Sequence, residues 1–164
     1  MYDDLGAKEE AVMKVLRSAS LYLSDEKAIV AACYYNAAGI RYEQEDPIVV
    51  DCWKEDDSIT EALRTALDRF SFRERNLRNH KKSDWPAYNA SALRTISDFE
   101  ETYFVVSVFA SNEYAVLYDA SVKPRGERNI TLESTLFFGR HNSDVSRDIN
   151  RLYEICSKWD LMLS

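Results

Sequence analysis

Tyr103-Phe104-Val105-Val106-Ser107-Val108-Phe109-Ala110, then Ser111-Asn112, then Glu113-Tyr114-Ala115-Val116-Leu117-Tyr118-Asp119, is the stretch that decides the fold class. Both runs are rich in β-branched and aromatic residues. A two-residue connection holding Asn, which tolerates positive φ, reads as a hairpin turn. A third strand is expected from Asn129 to Phe138, where Ile130, Leu132, Leu136 and Phe138 share one face with Ser134, and Thr131, Glu133 and Thr135 face outward. The loop from Lys123 to Glu127, with Pro124 and Gly126, separates it from the hairpin. Ile48 to Trp53, following Pro47, adds a fourth strand.

Around this sheet the spacing predicts helices. Val145, Ile149, Leu152, Cys156 and Trp159 recur at steps of four, three, four and three, with charged residues on the other side. Asn142 or Ser143 caps that last helix, and Asp144 suits its positive end. Ser58 and Glu61 form a capping box that opens a helix with the stripe Ile59, Leu63, Ala66, Leu67 and Phe70, fading near Phe72. Thr95 caps a short helix from Ile96 to about Glu101. Val12, Val15, Leu16, Ala19 and Leu23 give a first helix its buried side. The run from Ala28 to Ala38 reads either as a second helix closed by Gly39 or as an internal strand. Arg75 to Asn89, polar and holding Trp85-Pro86, reads as a long surface loop.

Helices first, then a three-strand meander, then a helix, is an α+β pattern. It implies a mainly antiparallel sheet of three to four strands with helices on one face. At 164 residues and 46% hydrophobic content, the chain can bury a core and is expected to form a single globular domain over 1–164. The start Met1-Tyr2-Asp3-Asp4-Leu5 lacks a secretory pattern, and no run approaches the roughly 18 apolar residues of a membrane span. The cytoplasm is the expected compartment, and no membrane partner is indicated. Cys33, Cys52 and Cys156 are far apart and outside any Cys-x-x-Cys, so free thiols are expected, with neither a disulfide framework nor a zinc site.

Charge is distributed unevenly. Fourteen acidic residues against six basic ones fall within positions 1–61, a net −8, while the rest of the chain carries +1. Glu43, Glu45, Asp46, Asp51, Glu55, Asp56, Asp57 and Glu61 face only Lys54 within their own span. Such a field steers a cationic partner and speeds its encounter. The bland alternative, solubility with helpful acids at the start of the Ser58 helix, accounts for Asp56, Asp57 and Glu61 better than for Glu43, Glu45 and Asp46. Tyr42 and Trp53 flank the acids as candidate anchors, with a core role equally open to Trp53.

Catalytic constellations are thin. His80 and His141 are the only histidines, in polar contexts without a second metal ligand at a suitable spacing. A Cys-His pair would have to draw on Cys52 or Cys33, but Cys33 and Cys156 sit on apolar stripes, where a cysteine usually acts as a small hydrophobe. Four glycines build no phosphate-cradling loop, and no nucleophile elbow or zincin helix is present. No catalytic residue, cofactor or metal is therefore assigned. Arg64 to Lys82 holds seven Lys or Arg with Phe70 and Phe72 between them, a pattern that also suits nucleic acid. Against a sequence pI near 4.9, the same cations serve better as internal counter-charge for the acids.

The stretch Asp84-Trp85-Pro86-Ala87-Tyr88-Asn89-Ala90-Ser91-Ala92-Leu93-Arg94-Thr95-Ile96-Ser97-Asp98-Phe99-Glu100, followed by a hairpin, resembles a segment of immunity proteins from bacterial contact-dependent growth inhibition and related polymorphic-toxin systems. Ala92 stands where the resemblance leads one to expect glycine. The resemblance implies a cytoplasmic protein that binds the toxic domain of a cognate effector and blocks its active site or its access to substrate. Many such toxins are nucleases with basic, phosphate-binding surfaces, which an acidic inhibitor can match. The expected function is stoichiometric neutralisation of a toxin, without turnover, through Glu43, Glu45, Asp46, Glu55, Asp56 and Asp57. The alternatives are a nucleic-acid-binding regulator using 64–82, or a small enzyme using Cys52 with His80 or His141.

Overall fold

The computed structural model describes residues 16–75, 84–111, 115–122, 130–137 and 143–162. The expected parts of the first helix before residue 16, both histidines, the Asn112 turn, the Lys123–Glu127 loop and the Asn142 cap lie outside them. The fold is α+β, as the strand signals imply, but the sheet is larger than three to four strands.

Its elements in order are β1 (Arg17–Leu23), β2 (Lys27–Tyr35), β3 (Arg41–Glu43), β4 (Ile48–Asp51), α1 (Ser58–Asp68), β5 (Ser71–Phe72), α2 (Pro86–Ala90), α3 (Ile96–Thr102), β6 (Phe104–Ala110), β7 (Ala115–Val122), β8 (Ile130–Phe137) and α4 (Ser143–Met162). The strand order is β3-β2-β1-β6-β7-β8, with β4 and β5 also on β2. Every pairing is antiparallel except the two-residue β5 beside the end of β2. β3 and β4 form one hairpin arm against β2. Their registers, Cys33 to Glu43 and Val30 to Ile48, differ by an offset of two residues that the irregular stretch 44–47 absorbs.

The helix expected over 12–23 is a strand from Arg17 onward. Ala19, Leu21 and Leu23 face one side of the sheet and Ser18, Ser20 and Tyr22 the other, and all six are buried. A central strand covered on both faces shows no wet side, so its apolar spacing mimics a helical stripe. The run after Asp25 resolves as the strand β2. Gly39 does take positive φ (+73°), but it closes the β2–β3 hairpin, where the Asn36 side chain accepts from the amides of Ala38 (3.0 Å) and Ile40 (2.9 Å).

Helices cover both faces of the sheet, not one. α1, through Ile59, Ala62, Leu63, Ala66 and Leu67, and α4, through Val145, Ile149, Leu152 and Cys156, bury Leu21, Leu23, Val30, Val106, Val108 and Tyr118 on the first face. These are the stripes read from the sequence, except that Phe70 falls beyond the end of α1 and packs on Tyr35 and Phe72, and the Trp159 side chain lies outside the described residues. β8 pairs with β7 in a register that sets Leu132, Ser134 and Leu136 across from Ala120, Tyr118 and Val116. On the second face Tyr22 and Ile29 pack with Ala87 and Tyr88 of α2, Phe99 of α3 and Tyr103. α2 begins with Pro86 at its first turn and replaces the end of the expected surface loop. α3 forms as expected, the Thr95 hydroxyl accepting from the Asp98 amide at 3.0 Å. Ser58 is not a cap. Asp57 holds that position without a side-chain bond, and the Asp56 carboxylate accepts from the Ser58 amide at 2.9 Å.

Candidate partner-binding surface

The six carboxylates proposed from sequence are not one patch. Glu43 ends β3 on the second face, where its carboxylate accepts from the Tyr22 hydroxyl and from the Ala87 amide (3.2 Å), and the Trp85 indole donates to Tyr22 at 3.0 Å. Burial pushes the Glu43 carboxyl and the Tyr22 hydroxyl above their ordinary values; the hydrogen bonds from Tyr22 and Ala87 pull the carboxyl the other way, whereas the Glu43 charge and hydrogen bond push the hydroxyl further up. Its work is to fasten α2 to the sheet.

Glu45 is exposed but neutralised. Arg73 meets it at 3.0 Å and Arg75 takes its other oxygen, and a hydrogen bond from its own backbone amide, with these two contacts, holds its carboxyl below the usual range. Arg69 donates to the carbonyls of Glu45 (2.8 Å) and Asp46 (2.9 Å). The basic segment therefore supplies counter-charge to the 44–46 bend, as its sequence position suggests, and Lys81 and Lys82 lie outside the described residues. Asp46, with φ +60°, remains exposed at this bend.

Glu55, Asp56 and Asp57 stay together, exposed on the turn between β4 and α1. The four residues of β4, at roughly 3.4 Å each, separate them from Asp46 by about 10 Å or more along the sheet edge. The turn is firmly pinned. Cys52, at φ +50°, donates its amide to the Glu26 carbonyl (2.8 Å), and Trp53 is fully buried with its indole donating to the Ser24 carbonyl (2.9 Å). The Trp53 ring meets Tyr153 of α4 edge-on at 5.5 Å. Lys54 sits 4.3 Å from the centre of the Tyr153 ring and 3.0 Å from Asp25, and the Tyr153 hydroxyl donates to Asp25 at 2.9 Å. Ser146 of α4 donates to the Asp56 carbonyl at 3.2 Å. Trp53 is thus a core anchor for the acidic turn. Tyr42 stacks on Tyr34 at 5.5 Å.

Of the groups considered for catalysis, Cys52 is exposed, while Cys33 and Cys156 are buried free thiols. Burial raises the Cys33 pKa and pushes Cys156 up to about 11. Both histidines fall outside the described residues, so the expected Cys-His pairing has no geometry to report.

One group of residues escaped the sequence reading. On the second face, beside the part covered by α2 and α3, Arg41 donates to Ser20 (3.2 Å) and Ser107 (3.1 Å) and lies over the Phe109 ring at 5.3 Å. Cys33 and Ser20 are 3.6 Å apart on the same face, and Ser107 pairs in register with Asp119. These residues come from β1, β2, β3, β6 and β7, so no local spacing could have announced them.

No family model matches the chain, and no curated protein does. Among solved structures it is similar to "Protein of Unknown Function NMB0488 from Neisseria meningitidis", with a TM-score of 0.59 at 10% identity over 82% of this chain and 91% of that one. The two share a fold. Among the described residues no helix is long and apolar enough to cross a membrane.

Proposed function

We propose that the protein is an immunity protein that neutralises a cognate toxin by stoichiometric binding, with the Glu55–Asp57 turn as its leading electrostatic contact. The observation that carries this reading is the pinned turn itself. Three consecutive exposed carboxylates are held by a fully buried tryptophan and by α4, so little ordering entropy is lost when a cationic surface meets them. Asp46 adds a second negative point along the edge. Glu43 and Glu45, committed to α2 and to Arg73 and Arg75, serve the scaffold that presents the others.

The test is a titration against the toxic C-terminal domain of an effector encoded beside this chain. Glu55→Lys with Asp57→Asn, which keeps a capping side chain at the start of α1, should weaken the complex by about 2 kcal/mol or more, as hot-spot losses do, with the melting temperature little changed. Asp56 is left in place because its carboxylate accepts from the Ser58 amide. Unchanged affinity at low salt would remove the turn from the interface. The nucleic-acid alternative is disfavoured because Arg69, Arg73 and Arg75 are engaged by Glu45 and the 45–46 carbonyls.

A further inference from the structure

The sheet edge at β4 is bonded on one side only. In its antiparallel pairing with β2, Val50 stands across from Ala28 and Asp51 from Lys27, and just beyond the strand the Cys52 amide donates to the Glu26 carbonyl at 2.8 Å. Backbone groups in such a ladder alternate between facing the partner strand and facing away from it. The Cys52 bond sets the phase. The amides and carbonyls of Ile48 and Val50 face β2, and those of Val49 and Asp51 face outward. Among the described residues no strand pairs with that outer side, and no hydrogen bond reaches the backbone of Val49 or Asp51. Val49 is 41% exposed and Asp51 is exposed as well, so the four outward groups are open to an incoming chain.

Two outward N–H groups and two outward C=O groups are a template for one more strand. Charge decides which strand can use it. Asp46 is exposed before β4, Asp51 within it, and Glu55, Asp56 and Asp57 after it. They outnumber the nearby cations Lys27, 3.3 Å from Asp51, and Lys54, 3.0 Å from Asp25. An antiparallel pair of two copies centred on Val49 would set Asp46 and Asp51 of each copy against those of the other, and like charges so placed repel. The four-residue length of β4 and Pro47 before it discourage self-pairing further. A strand bearing lysine or arginine meets the reverse situation. It gains main-chain bonds along Val49 and Asp51, an apolar neighbour in Val49, and acids at both ends.

We infer that the outer edge of β4 takes a basic, extended segment of the partner as an added strand. The site rests on the toxin-binding reading and divides the work within it. The Glu55–Asp57 turn steers the toxic domain, and the β4 edge fixes the direction and register of the segment that docks.

The experiment is residue-resolved amide hydrogen exchange on the full chain, alone and mixed with an excess of the toxic C-terminal domain of the effector encoded beside it. In the protein alone, the Val49 and Asp51 amides should exchange much faster than those of Ile48 and Val50, which β2 holds. In the complex the Val49 and Asp51 amides should slow by at least about tenfold, with Ile48 and Val50 little changed. Val49→Pro removes an outward donor without touching a bond to β2, at a position where an edge strand tolerates proline, and should lower affinity at least about tenfold. Val49→Thr, which keeps the amide and the β-branched shape, should bind nearly as the wild type does. Circular dichroism and melting temperature check that both variants fold; if Val49→Pro does not, exchange in the wild type decides. Binding of the toxic domain with unchanged exchange at Val49 and Asp51 overturns the added strand and leaves the immunity reading standing. Absence of binding removes that reading, and the added strand with it. Slowing of the same two amides as the concentration of the protein alone is raised would show the edge pairing with a second copy, and overturns a basic partner strand.

Discussion

The two faces of the sheet are held by different chemistry. Under α1 and α4 the contacts are mainly aliphatic, with Tyr118 buried among them, and Trp53 and Tyr153 close the rim with their hydrogen bonds to the Ser24 carbonyl and Asp25. Under α2 and α3 the centre is aromatic: Phe99 lies 5.2 Å from Tyr22, 5.1 Å from Trp85, 5.7 Å from Tyr88 and 5.0 Å from Tyr103. The junction with the strands runs through a buried carboxylate, Glu43. One face is secured by area removed from water, the other by a few specific bonds around rings. The first should resist changes of pH and fail by cavity. The second should fail when a single acceptor is lost.

The largest effect should come from the first face. Trp53→Ala removes a fully buried indole, its bond to the Ser24 carbonyl and its edge-on packing with Tyr153, and should cost about 3–5 kcal/mol in urea denaturation. The same change loosens the acidic turn, so partner affinity should fall with stability, unlike the effect of Glu55→Lys. A cost under about 1 kcal/mol, below the usual range for a core aromatic, would break the comparison at its strongest point.

Next comes the carboxylate of the second face. Glu43→Leu strands the Tyr22 hydroxyl and the Ala87 amide, and at about 1–3 kcal/mol for each buried donor the loss should approach that of Trp53→Ala. The pH dependence sharpens the point. The Glu43 pKa is raised above its ordinary 4.5, so the folded protein binds this proton more readily than the unfolded chain does. Its contribution is fully present below that ordinary value and is lost as pH rises through the raised one. Asp25 at the rim of the first face behaves oppositely. Lys54 and Tyr153 lower its pKa, so what it adds is present above the usual aspartate range and is lost on acidification. Denaturation of Glu43→Gln and the wild type across the acidic range should show the wild type losing ground as pH rises from 4.5. A difference independent of pH would mean that Glu43 titrates as it does in the unfolded chain.

The same contrast explains what the sequence made legible. α1 and α4 are amphipathic helices on an apolar face, and Ile59, Leu63, Ala66 and Leu67, or Val145, Ile149, Leu152 and Cys156, announce it by spacing alone. The hairpin strands and the Thr95 cap are equally local. β1 was misread because both its faces are covered, and β3, β5 and α2 are too short to carry a period. The charge count located the acids without sorting them. Glu45 meets Arg73 and Arg75 across 28 and 30 residues, and Glu43 meets Tyr22 across 21, distances over which composition says nothing about pairing. Asp46 and Glu55 to Asp57 kept the exposure that the charge argument assumed, and the turn of the latter three is held by a buried residue, Trp53, that is also next to them in sequence.

A smaller effect tests whether α3 depends on its own cap or on the aromatic cluster beneath it. Thr95→Ala removes the acceptor for the Asp98 amide and should cost about 1 kcal/mol, measured by urea denaturation. A loss several times larger would show that the cap also sets how Phe99 meets Tyr22 and Trp85, making the second face a single cooperative unit.

The smallest change should be a gain. Ala92 joins α2 to α3 at φ +59°, in the left-handed region, with its methyl exposed. An L-residue there is strained by about 1–2 kcal/mol through its Cβ, while glycine adds back about 0.4–1 kcal/mol of chain entropy in the unfolded state. The balance favours Ala92→Gly by roughly 0.5–1 kcal/mol, readable as a rise in the urea midpoint at unchanged slope. Because the methyl touches no core, the gain isolates backbone strain from packing. On the first face the counterpart is Cys52, at φ +50° on the turn between β4 and α1, where the same substitution should relieve a similar strain. A loss on Ala92→Gly would instead show that the alanine stiffens the link between α2 and α3, and that the second face relies on the rigidity of that link more than on the Glu43 hub.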